Sequence, residues 1–149
     1  MNVGVDLGGV VIDSSGPDTF FGPDYLSVPP VYKAFDSIAR LNAVGKVFIV
    51  SKCGPRIEEQ SRHWLAAHDF EKRTGVAEDR WHFVRARPDK ALVAYVLELE
   101  AFVDDREDVL EVMPPPVHRI RFGSPQTPGW PQVMAALNLR ARQAGQPLA

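Results

Sequence analysis

A chain of 149 residues, 45% hydrophobic and 24% charged, can build one domain with a real core and is too apolar to be disordered. Its 17 basic and 19 acidic side chains leave a net charge of −2, so no bulk attraction draws it toward nucleic acid. The single cysteine, Cys53, excludes an intramolecular disulfide and a cysteine-cluster zinc site and fits a reducing, cytoplasmic setting, and no apolar run approaches the roughly 20 residues of a membrane span.

The chain starts directly on an apolar stretch, without the basic region and long apolar core of a signal peptide. Val3-Gly4-Val5 predicts a buried parallel strand, and Asp6 emerges at its carboxyl end, where open α/β sheets place their ligands. Gly8 and Gly9 follow, allowing sharp backbone turns and close approach of the main chain to a ligand. Residues 13–28 are rich in turn formers and read as a loop long enough to act as a flap. Phe20, Phe21 and Tyr25 either close over a site or pack that loop down.

Pro29-Pro30 predict a helix start, with Val31, Phe35, Ile38 and Leu41 at helical spacing and Gly45 as its cap. Lys46–Val50 is the second strand and delivers Ser51, Lys52 and Cys53. A helix from Pro55 to about Ala67 follows, with Ile57, Trp64 and Leu65 on its apolar side. Trp81–Arg85 is the third strand, and Arg87-Pro88-Asp89-Lys90 opens a helix to Leu97. Ala101–Val103 is the fourth strand and delivers Asp104-Asp105. Arg106–Met113 is helical, Val117–Phe122 is the fifth strand, and Trp130 to about Gln143 is a terminal helix. Such alternation predicts a single α/β domain over residues 1–149, three-layered and Rossmann-like, with five parallel strands.

The strand ends therefore gather Asp6, Ser51, the segment leading to Lys90, and Asp104-Asp105 along one edge of the sheet. A carboxylate nucleophile, a hydroxyl, an ammonium and an acidic pair suit phosphoryl transfer. Oxygen ligands hold a hard cation, and the positive groups let a carboxylate approach a phosphate.

In this order the motifs resemble the haloacid dehalogenase-like superfamily of hydrolases, mostly phosphatases that pass through an aspartyl-phosphate. The resemblance runs from Val3 to about Phe122. It implies that Asp6 is the nucleophile, that Ser51 bonds the phosphate, and that Lys90 balances charge. It further implies that magnesium is held by Asp6, the Gly8 carbonyl and the Asp104-Asp105 pair, either of whose acids can be the direct ligand, Asp105 being the one expected here. Beside these, Gly9 is expected at the phosphate site and Lys52 either adds charge there or faces solvent; the expected substrate is a phosphorylated small molecule or an exposed phosphate on something larger. No cap domain is encoded, so the site is open to large substrates or is closed by another subunit in a homo-oligomer.

Gly8 departs from the family pattern, which places there a second aspartate that protonates the leaving group and activates water. Loss of such a group costs about 10²–10⁴-fold. Three readings follow: a hydrolase for substrates with good leaving groups, such as acyl or aryl phosphates; a hydrolase in which another group supplies the acid; or a non-catalytic phospholigand-binding or interaction module. Val3–Gly9 also looks like the phosphate loop of sugar kinases of the actin-like fold, but Val10 replaces their threonine and those enzymes need two domains.

Cys53 reads as a reactive thiol beside Lys52 or as a small turn residue. His63, His68, His82 and His118 form no metal-ligand pattern. Asp108 reads as an outer metal residue or a helix-start acid, and Arg85 and Arg87 as anion selectors or solvated charges.

Overall fold

The computed structural model describes residues 1–16 and 20–145, so part of the expected flap lies outside the described residues. Five strands form one all-parallel sheet: β1 (Asn2–Val5), β2 (Lys46–Lys52), β3 (Trp81–Val84), β4 (Ala101–Asp104) and β5 (His118–Arg121), in the order β3-β2-β1-β4-β5. Among the described residues, six α-helices accompany them: α1 (Ala34–Val44), α2 (Pro55–Ala67), α3 (Phe70–Thr74), α4 (Asp89–Val96), α5 (Glu107–Glu111) and α6 (Trp130–Gln143). The α/β, three-layer Rossmann-like arrangement expected from the sequence is the one observed.

Alternation along each strand builds two cores. Val3 and Val5 of β1, Val47 and Ile49 of β2, and Ala101 and Val103 of β4 pack with α1, α2, α3 and α6 on one face. Phe48, Val50 and Phe102 pack with α4 and α5 on the other. Gly4 belongs to the second face: a Cβ there would lie 2.6 Å from Leu99 and 2.7 Å from the Phe102 ring, so the aromatic ring occupies the room a side chain would need.

The helix predicted from Pro29-Pro30 begins only at Ala34. Pro30 pairs instead with Ile12 in an antiparallel bridge, while Asp13 N–H donates to the Pro29 carbonyl and Val31 N–H to that of Val11. Lys33, at φ 65°, then turns the chain into the helix. Gly45 ends α1 in an extended conformation and not as a left-handed cap; its small size admits the Met1 carbonyl, with which a Cβ would collide. The sequence reading passed over α3. Asp69 and Gly75, both left-handed, bracket this single turn, whose Phe70 fills the core against Phe35 at 5.2 Å.

The segment after β1 is the part of the fold that matters for chemistry. The Leu7 carbonyl accepts from the N–H groups of Val10, Val11 and Ile12, and Gly9 N–H donates to the Ile12 carbonyl. Buried Trp130 of α6 fastens the same turn, its Nε1 donating to the Val10 carbonyl at 2.8 Å. Among the described residues, no helix is long and apolar enough to cross a membrane.

Candidate functional site

The chain moves from β1 to β2 in one direction across the sheet and from β3 to β4 in the other. The connections consequently diverge between β1 and β4, and a crevice opens at their carboxyl ends. Asp6 follows β1, Asp104 ends β4 and Asp105 follows it, while Lys90 in the first turn of α4 reaches between the two strands. Its Nζ donates to Asp6 Oδ1 at 3.0 Å and to Asp104 Oδ2 at 2.8 Å. Lys90 is 2% exposed, Asp104 0% and Asp6 7%. Three residues read from separate segments of the sequence thus form one buried network.

That network holds more acid than base. Burial pushes the Asp6 carboxyl up to about 7, with Asp104 and Asp105 adding to the rise and Lys90 opposing it. Asp104 is likewise raised by burial. For Lys90, burial works against the charge, but the pull of Asp6 and Asp104 prevails and holds the ammonium above the ordinary lysine range. One cation shared by two buried carboxylates leaves a deficit of positive charge, which either a proton or a metal ion can fill.

A hard divalent cation fits this donor set. Oxygens of Asp6, Asp104 and Asp105 lie within 4.8 Å of one another, and carboxylate oxygen is the ligand such ions prefer. The two members of the acidic pair are not equivalent. Asp104 uses Oδ2 for Lys90 and Oδ1 for the Arg106 N–H, whereas Asp105 is exposed and lines the cleft. The turn's backbone bonds run to the carbonyls of Leu7 and Ile12, so the Gly8 carbonyl stays outside that ladder. The clean metal probe is accordingly Asp105→Asn alone, because changing Asp104 as well would disturb a buried salt bridge. Thermal stabilisation by magnesium should need at least tenfold more ion in Asp105→Asn than in the parent, since even outer-shell losses cost about 10–100-fold in affinity. The melting temperature in chelator should hardly move.

A cleft of about 600 Å³ opens above the network, and Asp6, Gly8, Gly9, Ser51, Lys52, Lys90 and Asp105 all lie on its wall. Gly9 is at φ +79°, and a Cβ there would sit 2.5 Å from Asp105 Oδ2, so glycine is required on both counts. Its N–H serves the Ile12 carbonyl, and the residue lines the cleft. Among the described residues, the N–H groups of Leu7 and Gly8 have no acceptor, and both residues line the cleft beside Asp6. They are the backbone donors an oxyanion would meet. Gly8 itself is not left-handed, and no atom of the described residues lies within 4 Å of where its Cβ would be.

Other expectations resolve individually. Phe20 packs against the core and Tyr25 against Phe20 at 5.8 Å, while Phe21 stays exposed at the cleft. Burial pushes the Cys53 thiol up, so it is a neutral thiol and not a reactive thiolate. Arg85 is structural: it donates to the Cys53 carbonyl and pairs with Glu58 at 2.9 Å. Arg87 does line the cleft. Asp108 is exposed and engaged by Arg106 at 3.1 Å, away from the three clustered acids. His63 meets the Tyr25 hydroxyl and His68 the Leu26 carbonyl, and none of the four histidines lines the cleft. Arg106, a helix start in the sequence, is on the cleft wall; its position directly beyond a strand end is the signal the sequence offers.

No family model matches the chain, and no curated protein matches it. The fold is similar to a chain in the structure of a Pnkp1/Rnl/Hen1 complex, with a TM-score of 0.60 and 14% sequence identity over 81% of this chain. The match spans 45% of that chain, so the present sequence corresponds to less than half of its neighbour. At this identity the likeness concerns the fold alone.

Proposed function

We propose that this domain is a magnesium-dependent phosphohydrolase of the haloacid dehalogenase-like kind, with Asp6 as nucleophile. The observation that carries the reading is the buried Asp6–Lys90–Asp104 network at the sheet's switch point, next to Asp105 and open to the cleft. Structural ion pairs are common, but a buried cluster short of positive charge on a cleft floor is where charged ligands are handled.

The residues divide the work as follows. Asp6 offers a carboxylate oxygen to phosphorus, and Lys90, fixed by Asp104, keeps that carboxylate aligned and offsets its charge. Ser51 contributes a hydroxyl, Lys52 an ammonium, and Leu7 and Gly8 contribute N–H groups toward the phosphoryl oxygens. Bound magnesium would supply further neutralisation of the phosphate, held by Asp6, Asp105 and the Gly8 carbonyl with Asp104 behind them. Water then attacks the aspartyl-phosphate and regenerates Asp6.

The test is hydrolysis of acetyl phosphate and of an activated aryl phosphate with and without magnesium. Turnover should require the metal and fall at least 10³-fold in Asp6→Asn, as expected when a covalent nucleophile is removed. Folding of the variant is checked by its melting temperature. The second reading, a non-catalytic phospholigand-binding or interaction module, draws on the missing side chain at Gly8. It predicts no turnover but metal-dependent thermal stabilisation by phosphorylated metabolites.

A further inference from the structure

We infer that the site takes phosphoryl donors whose leaving group departs as a stabilised anion, namely acyl phosphates or phosphoanhydrides, and not phosphate esters of simple alcohols. This rests on the phosphohydrolase reading above and adds the substrate class. In a displacement at phosphorus the leaving oxygen stands roughly opposite the attacking one, so it faces the cleft mouth and not the floor. A general acid placed there works best with a pKa near the operating pH. Among the described residues lining the cleft, the only carboxyl groups are Asp6, the nucleophile, and Asp105, in the acidic cluster. There is no histidine, and Cys53 and the hydroxyls of Ser14 and Ser51 are weak acids. Among the described residues, no group reaches within 4 Å of the Cβ position at Gly8.

The mouth does carry positive charge. Arg106 and Arg87 lie 3.1 and 3.7 Å from one and the same carboxylate, Asp108. Exposed Lys52 has no ion-pair partner among the described residues, and all three cations line the cleft. Guanidinium groups stay protonated throughout the working pH range and cannot hand over a proton, but they bind an emerging carboxylate or phosphate well. Among the described residues the cleft thus offers cations that can receive an anion, and no carboxyl or imidazole free to protonate an alkoxide.

The steps balance without a general acid. An Asp6 oxygen forms a bond to phosphorus while the phosphorus–oxygen bond to the leaving group breaks, and its electron pair leaves on the carboxylate or phosphate oxygen. Water then attacks phosphorus, the bond to Asp6 breaks with its electron pair returning to the carboxylate, and the water proton passes to the phosphate product or to solvent.

The experiment compares magnesium-dependent kcat/KM for acetyl phosphate, pyrophosphate, a series of aryl phosphates and an alkyl phosphate, each after subtraction of spontaneous hydrolysis. The expected result is at least a 10²-fold preference for acetyl phosphate or pyrophosphate over the alkyl ester, matching the lower bound for a missing general acid. The faster of the two names the source of the anion. An alkyl ester turned over within tenfold of the best donor, in an Asp6-dependent way, overturns the substrate class and leaves the phosphohydrolase reading standing. So does an Asp18→Asn variant that slows the alkyl ester selectively, because the flap would then supply the acid. Absence of Asp6-dependent turnover on every donor removes both.

Discussion

Lys90→Met should destabilise the metal-free protein by about 3–5 kcal/mol at neutral pH, the usual cost of removing one partner from a buried ion pair. Its ammonium is the group opposing the charges of Asp6 and Asp104, at 3.0 and 2.8 Å, and methionine fills similar volume without replacing that charge. The loss should depend on pH. Asp6 is already raised from 3.8 to about 7 in the folded chain. A carboxyl raised on folding contributes stability that is fully present below its unfolded pKa and is lost as pH rises through the folded one. Removing Lys90 takes away the group that holds the Asp6 value down, so in the variant the folded value climbs further. The penalty is accordingly small near pH 4, where Asp6 is protonated in both proteins, and grows as pH rises past about 7 toward the higher folded value of the variant. Urea denaturation in chelator at the two pH values reads this directly. Adding Asp6→Asn to Lys90→Met should recover part of the loss, because it deletes one of the stranded charges. A Lys90→Met variant as stable as the parent at pH 8 would mean that the buried network is not ionised as described.

The residues of this network were legible in the sequence because each follows an apolar run, and parallel topology gathers such ends on one edge. The strand order itself was not written in any run. It emerges from which helices cover which face, and so the direct contact of Lys90 with both Asp6 and Asp104 was beyond sequence spacing. The start of α1 misled for a physical reason. Pro29-Pro30 has the composition of a helix's first turn, yet Pro30 lies opposite Ile12, and only tertiary pairing reveals that. Arg85 and Arg87 look alike in the chain, two residues apart. Glu58 claims the first at 2.9 Å, and the second is left at the cleft. The glycines show the same limit: Gly8-Gly9 signals a turn, but only the backbone shows that Gly9 carries the left-handed torsion and the contact with Asp105 while Gly8 carries neither.

That last distinction makes Gly8→Asp a usable experiment. The position demands no left-handed torsion, and a Cβ there meets no atom of the described residues within 4 Å, so the variant should fold as well as the parent. A carboxyl at Gly8 would stand at the cleft wall beside Asp6 and Asp105. Their negative charge should keep its proton affinity high, which suits an acid that must be protonated when the leaving group departs. Magnesium-dependent turnover of an alkyl phosphate should rise, by at most about 10²–10⁴-fold, and in kcat more than in KM, because the new contact exists only as the bond breaks. An aryl phosphate should gain less, its phenolate needing less help, and acetyl phosphate least of all, so that the spread among donors narrows. Hydrolysis of the aspartyl intermediate should quicken for every donor, since the same carboxylate can take a proton from the attacking water. Gly8→Asn, similar in shape but unable to exchange a proton, separates chemistry from mere filling of space and should gain nothing on the alkyl ester. A folded Gly8→Asp variant that retains stabilisation by magnesium yet leaves the alkyl ester unturned would show that the open space above Asp6 is not an empty acid position, and that the cleft places the leaving group elsewhere.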